Sequence, residues 1–106
     1  MNVYAETDLP SIDFFVEKSM MIHFLKHGYA NYKKTLTRIN EGKLQYDLSL
    51  FYGYQFLVSL ELSNEKDKVL SLANVEDEEE LKKLQDGKYI RTLINYLNIR
   101  LKVLLT

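Results

Sequence analysis

LQYDLSLFYGYQFLVSLEL, residues 44–62, satisfies two incompatible periods, and the architecture depends on which one prevails. Every even-numbered position is apolar, from Leu44 and Tyr46 through Tyr54 and Phe56 to Leu60 and Leu62. That is the alternation of a strand with one buried face. A three-residue loop at Tyr52-Gly53-Tyr54 would set Leu50 against Phe56 and Leu48 against Val58 in a hairpin. The same residues also fit a helix. Leu44, Leu48, Phe51, Gln55, Val58 and Leu62 step 4-3-4-3-4, and the ladder runs on through Glu65, Val69 and Leu72. Turn chemistry favours the helix, since tight hairpins want Asn, Asp or Gly pairs at positive φ and a lone Gly53 between tyrosines is a poor turn.

The flanking segments carry helical signals of their own. Upstream, Phe15, Lys18, Ile22, Leu25, Tyr29, Tyr32, Leu36 and Ile39 trace one stripe at 3-4 spacing that keeps its phase through Gly28. Glycine costs about 1 kcal/mol against alanine within a helix, so a break is expected near Gly28. Arg38 and Gly42 supply the end charge and the left-handed cap of a helix stop. Downstream, Asp77 followed by Glu78, Glu79 and Glu80 is a helix start, with a capping side chain and acids on the positive end of the dipole. Leu81 and Leu84 begin a stripe that Ile90, Leu93, Leu97, Leu101 and Leu104 continue out of phase, which predicts a second break near Gly87.

These readings predict an all-α fold, a small antiparallel bundle of three long helices over 11–41, 44–74 and 77–105. Each would be about 45 Å long, with turns at Glu41-Gly42-Lys43 and Asn74-Val75-Glu76. The alternative is an α+β fold with a hairpin at 44–62 between helices. Residues 1–10 have no periodicity and read as a flexible N-terminal arm on a single helical domain, 11–106.

Composition limits function mainly by exclusion. A chain of 106 residues with 46% hydrophobic and 27% charged residues can bury a core. Fourteen Lys and Arg against fifteen Asp and Glu leave a net charge of −1, which argues against general nucleic-acid binding. Absent cysteine rules out disulfides, thiolate metal sites and cysteine nucleophiles. Met1 to Asp8 is short, polar and acidic, unlike a signal peptide, so the expected compartment is the cytoplasm and no membrane span is expected. No Gly-x-Ser-x-Gly elbow, Gly-rich phosphate loop or paired acid–base set appears, so neither enzyme activity nor a cofactor is expected.

His23 and His27, the two histidines, lie i, i+4 on one helix face, where two imidazoles can approach one metal ion. A third ligand is not local, so a metal-dependent protein built on them stands only as an alternative. The acidic run 76–80 reads as a solvated helix start, and Lys33, Lys34 and Arg38 as an ordinary basic edge. Eight tyrosines in 106 residues exceed what a small core needs. Tyr46, Tyr52 and Tyr54 cluster, and tyrosine is enriched at interfaces as well as at core rims.

Gln45-Tyr46-Asp47-Leu48-Ser49-Leu50-Phe51-Tyr52 resembles the peptide by which archaeal and eukaryotic proteins bind the PCNA sliding clamp: Gln, an aliphatic residue three positions on, and a terminal aromatic pair. Residues 47–51 also look like the bacterial clamp-binding peptide, with Asp47 in place of its glutamine. The resemblance implies that Gln45 enters a polar pocket while Leu48, Phe51 and Tyr52 plug a hydrophobic groove. It covers eight residues in the most apolar segment, where packing into a core competes with presenting the peptide.

The functional expectation is a non-enzymatic protein–protein interaction module: a regulator, inhibitor, chaperone or assembly subunit, also forming a homodimer. The expected partner-binding residues are Gln45, Leu48, Phe51, Tyr52 and Tyr54, with Val103, Leu104 and Leu105 at an apolar C-terminal tip.

Overall fold

The structure, a computed structural model, describes the backbone of residues 12–105 and the side chains of 18–103, so the arm expected at 1–10 lies outside the described residues. The fold is all-α, and no strand occurs among the described residues. Five helices take the place of three long rods: α1 (Ile12–Asn40), α2 (Leu48–Leu62), α3 (Lys66–Leu72), α4 (Glu78–Gln85) and α5 (Gly87–Leu105). The hairpin alternative at 44–62 is therefore wrong.

Each boundary has a local cause. Gly42 at φ +69 ends α1, its N–H reaching Ile39 O at 3.1 Å while Lys43 N–H reaches Arg38 O at 2.8 Å, the paired bonds of a Schellman stop. Asn74 at φ +65 ends α3 in the same way, through Asn74 N–H to Ser71 O and Val75 N–H to Leu70 O, both 3.0 Å. The middle rod divides at Ser63-Asn64-Glu65 because Ser63 Oγ accepts the Glu65 N–H at 3.0 Å and draws the backbone out of the helical ladder. At the expected Gly87 break, Asp86 Oδ1 accepts from Lys88 N–H at 2.9 Å and caps α5. Asp77 caps α4 as its sequence predicts, accepting from Glu79 and Glu80 N–H at 2.9 and 3.1 Å.

The second rod starts at residue 48, not 44, because Asp47 is extended and its Oδ1 accepts Leu50 N–H at 3.0 Å. Its other oxygen pairs with Arg38 at the end of α1, so one carboxylate caps α2 and ties it to α1. Burial works to raise the Asp47 pKa, but the Leu50 N–H and the Arg38 guanidinium outweigh it and hold the carboxyl below its ordinary value. A depressed carboxylate stabilises above its unfolded pKa and ceases to do so as pH falls through the folded one. Asp47→Ala should thus cost about 1 kcal/mol at neutral pH. In urea melts the gap to the parent should close below about pH 4.

No break occurs at Gly28; α1 runs through it. Both central glycines are contact points between α1 and α2. A Cβ on Gly53 would sit 3.0 Å from both Tyr32 Cα and Tyr32 N and 3.1 Å from Asn31 O. One on Gly28 would sit 2.9 Å from Phe56 Cβ. The helices are antiparallel, Gly28 lying by Phe56, Tyr32 by Gly53, and Thr35 donating through Oγ1 to Ser49 O at 3.2 Å. Carried along, this register sets Leu62 level with the middle of α1, so the N-terminal turns of α1 run past the end of α2.

The core side of α2 is Leu50, Gly53, Leu57 and Leu60, with Phe56 beside them, not the ladder through Leu48, Gln55 and Leu62 that the sequence offered. These pack with Tyr29 and Tyr32 of α1, Leu70 of α3, Leu84 of α4, and Ile90 and Leu97 of α5. Hydroxyls stitch the helices together: Tyr32 Oη and Tyr89 Oη lie 2.9 Å apart across α1 and α5, and Tyr54 Oη donates to Asn98 Oδ1 at 2.7 Å across α2 and α5. The molecule measures 55 × 34 × 19 Å, and its thin dimension is two helices deep.

Candidate functional site

Two-layer packing leaves the back of the α1–α2 pair open. On α2, Leu48, Tyr52, Gln55, Ser59 and Leu62 step 4-3-4-3 along one stripe facing away from the buried residues. On α1, Met20, Phe24 and His27 step 4-3 beside it. Met20 is 51% exposed, Phe24 56%, Leu48 69% and Leu62 77%. Between the helices lies a groove of about 230 Å³ lined by Phe24, Leu25, Gly28, Tyr52, Gln55 and other α2 residues. Gly28 lines its floor, where the Phe56 side chain packs close against the glycine.

His27 meets Tyr52 edge-on at 4.9 Å, and His23 lies parallel to His27 at 5.9 Å, 5° between planes. Imidazole lone pairs lie in the ring plane, so two parallel rings in separate planes do not converge on one ion. Among the described residues no group of three His, Cys, Asp or Glu is placed to hold a metal.

The sequence-predicted residues fall into three groups. Gln45 and Leu48 are exposed at the start of α2, with Phe51 and Tyr52 half-buried on the same side. Phe51 packs against Tyr46 edge-on at 4.9 Å. Tyr54 points away from Tyr52, because two residues along a helix turn it by about 200°, and its hydroxyl is engaged with Asn98 of α5. Val103 is exposed on α5 in one stripe with Tyr96 and Ile99, while the side chains of Leu104 and Leu105 lie outside the described residues.

No family model, curated protein or solved structure matches this chain. The site is accordingly read from its own geometry. No helix among the described residues is long and apolar enough to cross a membrane. A larger notch beside α3, lined by residues 63–68 and Gln85, is polar and open, and its side chains already bind one another, Gln85 Nε2 donating to Asp67 Oδ1 at 2.9 Å. Met20, Phe24 and Leu62 are the site residues the sequence reading missed. Leu62 falls in the 48-52-55-59-62 spacing of α2, masked by polar Gln55 and Ser59 at the stripe's centre, while Met20 and Phe24 lie on α1 and join it only in the packed structure.

Proposed function

We propose that this chain is a non-enzymatic protein–protein interaction module of the cytoplasm, acting as a regulator, inhibitor, chaperone or assembly subunit through the open face of α1 and α2. The observation that supports this reading is that face itself. Four large apolar side chains stand more than half exposed there, while Leu50, Leu57, Leu60 and Leu97 are almost fully buried. A chain able to bury its leucines that well leaves such a patch open to water only at a cost, and patches of this kind mark interaction sites. The face offers large flexible and aromatic side chains around a groove, the composition of a recognition surface.

A second reading, a sliding-clamp ligand using residues 45–52, is supported by the exposure of Gln45 and Leu48 and by the shared side of Leu48, Phe51 and Tyr52. One experiment addresses both. A photoreactive amino acid in place of Gln55, in cells that make the protein, should yield a discrete covalent adduct, and the same probe in place of Lys82 on α4 should not. A clamp subunit in the adduct identifies the second reading. Absence of any adduct specific to the Gln55 probe overturns the interaction module.

A further inference from the structure

The near-zero net charge of the chain conceals an uneven distribution. Residues 63–106 balance eight cations with eight acids, whereas residues 18–62 carry six cations against three acids, Glu41, Asp47 and Glu61. Two of those acids are occupied. Asp47 pairs with Arg38, and Glu61 meets Arg91 of α5 at 3.6 Å. Between residues 18 and 40, α1 contains no acid at all. The α1–α2 layer therefore holds uncompensated positive charge.

That charge adjoins the apolar stripe. Continued along α1, the row Met20, Phe24 and His27 passes through buried Asn31 to exposed Lys34. Lys34 is turned about 40° from Met20 around the helix axis, and Lys26 about 120°, onto the outer shoulder. Neither lysine has an acid within ion-pair distance among the described residues. Thr35 bonds Ser49, so Lys34 stands beside the Leu48 end of α2, while the Gly28–Phe56 contact sets Phe24 toward the Leu62 end. An occupant must match both carbon and charge in this arrangement. A phosphate polymer brings charge but nothing apolar to cover Phe24, Leu48 and Leu62. A bilayer presents phosphates on every side of an inserting face, whereas here the cations lie on the α1 side alone, α2 having none. An amphipathic helix brings both, with apolar side chains in the groove and carboxylates along one flank. Leu48 to Leu62 spans about 21 Å, four turns of such a helix.

We propose that the occupant of this face is an acidic amphipathic helix of another protein, its apolar stripe laid against Phe24, Leu48 and Leu62 and its carboxylates over Lys34 and Lys26. This rests on the reading of the face as an interaction surface. The one-sided charge fixes the register and direction of the bound helix, since reversing it takes the carboxylates away from Lys34.

Three synthetic helical peptides that share one leucine stripe and carry glutamate, glutamine or lysine along one flank test this with the full chain. Fluorescence anisotropy should rank the glutamate peptide about tenfold tighter than the glutamine one, and the lysine peptide last. The differences should shrink as salt rises from about 0.05 to about 0.5 M. Lys34→Glu should weaken the glutamate peptide by about tenfold and favour the lysine one. Its circular dichroism should be unchanged, because Lys34 is exposed and unpaired. Lys82→Glu on α4 should alter neither affinity. In cells, Lys34→Glu should suppress the Gln55 photoadduct. Equal binding of the three peptides or a preference for lysine overturns the proposal. Capture of heparin, or of vesicles of equal parts phosphatidylcholine and phosphatidylserine, without the glutamate peptide does the same. So does a Gln55 crosslink that closes within the chain onto residues 1–17, which hold four acids and no cation. A Gln55 adduct with another protein that persists in Lys34→Glu removes the acidic partner and keeps the interaction module; no adduct removes both.

Discussion

Gly53→Ala should lower the unfolding midpoint by roughly 10 °C, although alanine is the better helix former by about 1 kcal/mol. The added methyl falls 3.0 Å from two backbone atoms of Tyr32 and 3.1 Å from Asn31 O. Backbone inside a helix cannot rotate away, so α1 and α2 must separate by several tenths of an ångström along their whole contact. Overpacking of this kind costs about 1–3 kcal/mol, and rigid neighbours put it at the upper end, leaving about 2 kcal/mol net. A domain of this size loses about 4–8 °C per kcal/mol. Thermal melts followed at 222 nm provide the check. Gly42→Ala is the contrast: nothing lies within 4 Å of the added Cβ there, and the cost is only the φ of +69.

Tyr32→Ala should cost about 3–5 kcal/mol, the range for emptying a buried aromatic site. The ring is 1% exposed and packs near Phe56 and Tyr29 at 6.1 and 6.2 Å between centroids. Tyr32→Phe keeps the volume and loses the 2.9 Å contact with Tyr89 Oη, for about 1 kcal/mol. Burial, first, then the Tyr89 hydroxyl and the Glu80 charge push the Tyr32 pKa above its ordinary value. Tyr29 moves the same way, through burial and the charges of Glu80 and Asp77. The native state therefore favours the neutral phenol, and the unfolded chain releases its proton first, near pH 10. Stability should hold up to that point and fall above it. Urea titrations at about pH 8 and about pH 11 measure the loss, and Tyr32→Phe should show a smaller one.

Helix content and stop signals were legible because they are local. Asp77, Gly42 and the Asp86-Gly87 break act through atoms within a few residues, and each appears where its residue type predicts. The collision of periods at 44–62 resolves toward helix, as the poor turn chemistry at Gly53 favours, but the second role of that glycine, letting the α1 backbone approach, is in no window of sequence. Read alone, Gly28 looks like a break and Gly53 like a poor turn, whereas the pair is one feature split across two helices. The Asp47 cap was there to read, but the apolar ladder starting at Leu44 obscured it. The site was half legible. Leu48 and Tyr52 were named through a short peptide resemblance, while Met20, Phe24 and Leu62 depend on which side of each helix the rest of the chain covers, and that is a property of the assembled layers.

A body two helices thick has a seam and no centre. Most added bulk along that seam can be relieved by one layer bowing outward into water, so much of the chain should accept drift in side-chain size. Gly53 is the exception, where main chain meets main chain and nothing can bow. Tolerance of added bulk in this protein is therefore set by how close two backbones come at a single crossing rather than by depth below the surface.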